Sequence, residues 1–248
     1  MSEPWLEGLN EQQREAVAHG DGPLLIIAGV SAVSLVPLLL MRMPQLSAAQ
    51  RTIFAPVTYA QRNPALLSKL ILPMLVTAIG AGLIMPFMNV FFRHQYNQPD
   101  PAIGALFAWG SLAMGVGLIA APPLAERLGK IELVVISQAL SIPFLILLGF
   151  APWFWLSVVA YLVRVALMNM STPIYQTFVM ERVDPSARAT VASLVSMSWN
   201  FGWAFSPTVS GWLQVRYGFA PPFVLTILLY TLSTGLYWAF FWRKSHPH

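Results

Sequence analysis

Seven stretches of the chain, 24–41, 66–92, 102–124, 131–150, 153–180, 190–213 and 219–242, are apolar over lengths that suit a membrane crossing. A helix needs roughly 20 such residues to span a hydrocarbon core about 30 Å thick. The polar segments between them are short. The pattern therefore predicts an all-α polytopic membrane protein: six closely spaced helices over 66–242, preceded by one extra transmembrane segment at 23–42 and a linker at 43–65.

Lysine and arginine are unevenly shared between the two sets of connections, and this bias orients membrane helices. Arg42, Arg51, Arg62, Lys69, Arg127, Lys130, Arg182, Arg188, Arg243 and Lys244 fall on one side. The other side holds Arg93 and Arg216, together with an N-terminal stretch in which Arg14 is outnumbered by Glu3, Glu7, Glu11, Glu15 and Asp21. The expected arrangement is a cytoplasmic C-terminal tail (243–248) and an N-terminus on the opposite side. The first 22 residues lack the apolar core of a cleavable signal, so the first span is expected to act as its own insertion signal.

Composition agrees: 56% of residues are hydrophobic and 10% charged, against about a quarter charged in soluble domains. The net charge of +4 follows from the loops, so lipid head groups rather than nucleic acid are the expected counter-charge. The absence of cysteine excludes disulfides and thiolate chemistry. His19, His94, His246 and His248 sit in polar segments and imply no metal site.

An internal repeat runs through the last six spans. Leu124-Ala-Glu-Arg127-Leu-Gly129 recurs 89 residues later as Leu213-Gln-Val-Arg216-Tyr-Gly218. Pro86 and Phe91 recur 87 residues later as Pro173 and Phe178. Three helices per unit is an odd number, so the second unit must cross the membrane upside down relative to the first, an arrangement found in transporters.

Candidate chemistry lies inside the spans. Arg164 falls eleven residues after Trp153, about 16 Å along a helix at 1.5 Å per residue, where an arginine costs at least about 2.5 kcal/mol unless paired or hydrated. Asn169, Thr172 and Gln176 form a polar stripe on the same helix, and Ser193, Ser196 and Asn200, with Trp199 beside them, form another on the next. Together with Asn89 these are the candidate substrate-cavity residues. Ala113, Gly117 and Ala121, and Ser198, Gly202, Ser206 and Ser210, are small-residue stripes expected to pack helix on helix.

The loop Pro122-Pro-Leu-Ala-Glu126-Arg127-Leu-Gly129-Lys130 resembles the G-x-L-A-D-R-x-G-R motif of the major facilitator superfamily, with Glu126 in place of aspartate and Pro122 in place of the opening glycine. The stretches GAGLIMPFMNVFFR, ALMNMSTPIYQTFVMERVDPSARATVASL and SWNFGWAFSPTVSGWLQ resemble helices seven, ten and eleven of that superfamily. The resemblance implies that 66–242 is the C-terminal six-helix half of such a transporter. It further implies that Glu126, Arg127, Gly129 and Lys130 form a conformational latch, with the carboxylate at the start of the sixth span near Arg188.

Residues 6–29 resemble something else. Leu9, Asn10 and Gln13 in LEGLNEQQREAV, followed by HGDGPLLIIAG, are similar to the start of a UvrD-type superfamily 1 DNA helicase. The phosphate loop that should follow is absent: Val33, Ser34 and Leu35 stand where glycine, lysine and a hydroxyl residue are required. Residues 1–22 are thus expected to be a non-membrane remnant that binds no nucleotide, with a short helix near 10–19.

The functional expectation is a secondary transporter of a small solute in a bacterial-type plasma (inner) membrane, with no enzymatic activity and no cofactor. Its expected partners are lipid, the solute, and a complementary transporter half or a second copy of itself. The competing expectation is a transport-inactive membrane fragment produced by fusion.

Overall fold

The computed structural model describes Tyr59 and residues 62–242, all within one compact unit, Thr52–His248. The helicase-like start, the segment 24–41, most of the 43–65 linker and the tail 243–248 lie outside the described residues. Every expected span over 66–242 is helical. The helices are α1 (Pro64–Ile84), α2 (Met88–Tyr96), α3 (Asp100–Leu128), α4 (Lys130–Phe150), α5 (Phe154–Arg182), α6 (Arg188–Tyr217) and α7 (Ala220–Tyr237).

The punctuation follows from residue type. Pro86 has no N–H and disfavours the helical conformation of the residue before it. The chain accordingly tightens into a 3-10 turn at Met85–Phe87 between α1 and α2, which otherwise continue as one span. Helices α3 and α6 both stop at a glycine in left-handed φ, Gly129 at 98° and Gly218 at 76°. The N–H of each bonds back four residues, to the carbonyls of Ala125 and Gln214. The repeated L-x-x-R-x-G pattern is thus a repeated helix terminator, since glycine alone takes this conformation freely.

Contacts give the direction of each helix. Ala78 and Gly82 of α1 meet Gly202 and Ser206 of α6 in ascending order, so these helices run parallel. Gly110 and Gly117 of α3 meet Tyr161 and Ala166 of α5 in the same sense. Thr77 and Gly80 of α1 meet Ser233 and Thr226 of α7 in descending order, and Ser141 and Leu148 of α4 meet Met168 and Ser157 of α5 likewise. The spans therefore alternate in direction along the chain.

Helix α1 packs on α6 and α7, α5 packs on α3 and α4, and α4 packs on α7. Exchanging α1 with α5, α3 with α6 and α4 with α7 leaves this pattern unchanged while reversing every direction, the signature of an inverted repeat. Buried positions agree at the same displacement of 89: Leu106 with Val195, Gly117 with Ser206, and Ala121 with Ser210.

One helix departs from expectation. Among the described residues five helices are long and apolar enough to qualify as membrane spans, and α6 is not one of them. Its serines, Asn200 and Gln214 lower its hydropathy. Its register against α1 nevertheless carries it through the bundle, with Gly202, Ser206 and Ser210 buried as the small-residue stripe anticipated.

The tightest seam supplies a test. A methyl group at Gly117 would lie 2.6 Å from the Ala166 carbonyl oxygen, a backbone atom that cannot step aside, whereas one at Gly115 would meet nothing within 4 Å. Gly117→Ala should destabilise the bundle by about 1–3 kcal/mol through overpacking. Gly115→Ala should be neutral or stabilise by up to about 1 kcal/mol. Thermal unfolding of the two variants in detergent checks the contrast.

Candidate functional site

Ten residues into α5, Arg164 sits at mid-bundle with a side chain that is 1% exposed. Its Nη2 donates to the hydroxyl of Tyr230 on α7 at 3.1 Å, and its Nη1 lies 4.0 Å from the Met85 sulfur at the end of α1. The guanidinium carbon stands 5.4 Å from the centre of the Tyr230 ring. Its Nε is buried without a hydrogen-bond partner. Gly80 on α1 makes room for the phenol, since a methyl group there would fall 2.8 Å from the ring. Arg164 thereby joins α5 to α7 and to the α1 end.

Arg164 is expected to line a substrate cavity, and in this conformation its side chain is enclosed. The residue of α7 that meets it, Tyr230, was not among the candidates. Phe223, Thr226, Tyr230, Ser233 and Tyr237 recur at alternating steps of three and four along α7 and are all buried. That periodicity was the available signal for Tyr230.

The other candidates do not gather around the guanidinium. Asn169 is half-buried and donates its amide to the Val165 carbonyl of its own helix at 2.8 Å. Thr172 and Gln176 on α5, and Ser193, Ser196 and Asn200 on α6, are exposed on the surface of the bundle. Trp199 is half-buried, 6.3 Å from the Trp203 ring. Asn89 is exposed on α2, where its side-chain oxygen accepts from the Val90 N–H.

At one end of the bundle, the loop from α3 to α4 is joined to the end of α5 by an ion pair between Lys130 and Glu181. Glu126 and Arg127 are exposed, and Gly129 supplies the turn. Glu132, in the first turn of α4, packs its carboxylate against Gly129. The expected latch centred on Glu126, but the interhelix ion pair here falls to Lys130. Arg93 and Asp100 pair at the opposite end, across the turn between α2 and α3.

The profile of the Major Facilitator Superfamily matches residues 70–248, well over half of the chain. The chain belongs to the major facilitator superfamily. A comparison with curated proteins finds no match. With its long apolar helices this facilitator is an integral membrane protein, of a family whose members are generally transporters and which meet lipid and a small solute.

The energetics of Arg164 distinguish a functional charge from a structural bolt. Arg164→Met removes a charge whose burial at mid-membrane costs at least about 2.5 kcal/mol and gives up a hydrogen bond of about 1 kcal/mol. The variant should be more stable by about 1 kcal/mol or more, read by thermal unfolding in detergent. A variant less stable than the parent would mark Arg164 as a structural link.

Proposed function

We propose that the bundle 66–242 is one half of a major facilitator type secondary transporter, moving a small solute by rocking against a complementary half around a site near the membrane midplane. The domain reading that goes with it is a helicase-like remnant at 1–22, an extra span at 23–42, a linker at 43–65 and a tail at 243–248. The complementary half is a separate set of helices or a second copy of this one. The face carrying Arg62, Lys69, Arg127, Lys130, Arg182 and Arg188 is cytoplasmic by the positive-inside rule, which puts the C-terminus there, in a plasma membrane of bacterial type.

The observation that carries the reading is the unequal chemistry of the exposed surface. Helix α3 turns Leu112, Val116 and Ile119 outward, as a lipid-facing helix should. Helices α5 and α6 turn out Thr172, Gln176, Ser193, Ser196 and Asn200 among apolar neighbours such as Met197 and Phe201. Amide side chains lose their hydrogen-bonding partners in hydrocarbon, so polar residues in membrane helices almost always face a protein partner or an aqueous cavity. These residues, with Asn169, Trp199 and Asn89 at their margins, are assigned to the solute pathway, and the Glu126-Arg127-Gly129-Lys130 loop to its conformational control.

The absence of cysteine permits a direct test. Thr172→Cys, Gln176→Cys and Asn200→Cys, introduced singly, should react in membranes with a hydrophilic methanethiosulfonate reagent. Val116→Cys and Ile119→Cys should stay inert. Equal reactivity across the five positions would sink the pathway assignment.

A further inference from the structure

A guanidinium presents up to about five N–H donors in a planar fork and accepts nothing. Among the described residues Arg164 bonds one neutral phenol oxygen and a thioether at the limit of interaction, and its buried Nε has no hydrogen-bond partner. A second buried donor without a partner, the indole Nε1 of Trp203, belongs to a ring that packs on the same apolar cluster as Tyr230, Ile84 and Met85. The site is rich in donors and poor in acceptors. It also carries a charge that lacks a counter-charge at its depth among the described residues.

The described acids are too far away to supply one. Asp100, Glu132, Glu126 and Glu181 occupy first or last turns of α3, α4 and α5, and Asp184 lies between α5 and α6. Glu181 is seventeen residues along the same helix from Arg164, about 25 Å at 1.5 Å per residue. Lipid phosphates are excluded as well, because Arg164 lies about 15 Å inside the helix end, near the middle of a hydrocarbon layer about 30 Å thick.

We propose that Arg164 seats the anionic group of the transported solute, a carboxylate or comparable oxyanion, and that Tyr230 holds the guanidinium while the anion is absent. An acceptor-only, negatively charged group matches both the unfilled N–H donors and the uncompensated charge. Tyr230 then serves as the closed-state surrogate, its oxygen standing where one oxygen of the anion would bind. The inference rests on the transporter reading and narrows it to organic or inorganic anions.

The test uses the full chain purified in detergent, with acetate, benzoate and inorganic phosphate as anionic probes and acetamide and benzamide as neutral counterparts. At least one anion should raise the thermal unfolding temperature of the parent protein saturably, while both amides leave it unchanged. Arg164→Gln should abolish the shift although the variant itself stays folded. Arg164→Lys should keep a reduced shift, because a point charge replaces the two-pronged fork. Tyr230→Phe should enlarge the shift by removing the internal competitor. No shift with any of the three anions, equal shifts with the amides, or a full shift in Arg164→Gln would each overturn the proposal. Reactive cysteines at 172, 176 and 200 alongside an absent anion response would refute the anion seat alone. Inert cysteines would refute the pathway reading whatever the anions do.

Discussion

Close approach of helix backbones at small side chains is the constraint on which this bundle depends. Lipid removes the hydrophobic drive that packs helices in water, so association rests on van der Waals fit and on hydrogen bonds between helices. Gly82 against Ser206, Gly202 against Ala78, and Gly117 against Ala166 bring α1 to α6 and α3 to α5 at distances a larger residue would forbid. Between other pairs, α7 with α1 and α5 with α1, side-chain hydroxyls reach across to main-chain oxygens. Ser233 donates to the Pro73 carbonyl at 2.7 Å, Tyr175 to Leu70 at 2.6 Å, and Thr226 to Gly80 at 3.1 Å. Each bond is worth little, on the order of 0.6 kcal/mol in such settings. Together they lock the register that sets which residues lie level with Arg164.

How much of this was legible in the sequence depended on which physical signal each feature leaves. Spans, order and the inverted repeat follow from hydropathy and from L-x-x-R-x-G, because glycine takes the positive φ of a helix terminator most freely, as at Gly129 and Gly218. The small-residue seam was legible for the same reason: only residues such as Gly202 and Ser206 permit it. Helix α6 was harder, since Ser193, Ser196 and Asn200 dilute its hydropathy although α1 holds it in place. The surroundings of Arg164 were not read, because Tyr230 and Met85 are apolar enough to pass as ordinary span residues. Their role appears only when three helices meet. Exposure of Thr172 and Asn200 was equally hidden, as a polar stripe looks the same whether it glues helices or faces a pathway.

The two ends of the bundle differ in how they are tied. At one end Lys130 and Glu181 connect the α3–α4 loop to α5, and Tyr175 of α5 reaches α1. At the other, Tyr96 donates to the Ala151 carbonyl at 2.8 Å, and Phe91 packs edge-on to Phe219 at 5.4 Å. The first end relies on charge that salt and solvent screen, and surface ion pairs of this kind contribute roughly 0–1 kcal/mol. The second end carries an ion pair of the same kind, Arg93 with Asp100, beside its aromatic cluster.

The two repeats share a backbone plan but not a charge. The displacement of 87 residues that relates Pro86 to Pro173 puts Thr77 at the place of Arg164. Thr77 is buried and fully provided for, with its hydroxyl 2.7 Å from that of Ser233 and 3.1 Å from the Pro73 carbonyl. At position 77 a threonine meets the demands of packing without a charge. An arginine instead introduces a cost of several kcal/mol that the described residues only partly offset. Stability alone does not explain a charge placed on one repeat and omitted from the other.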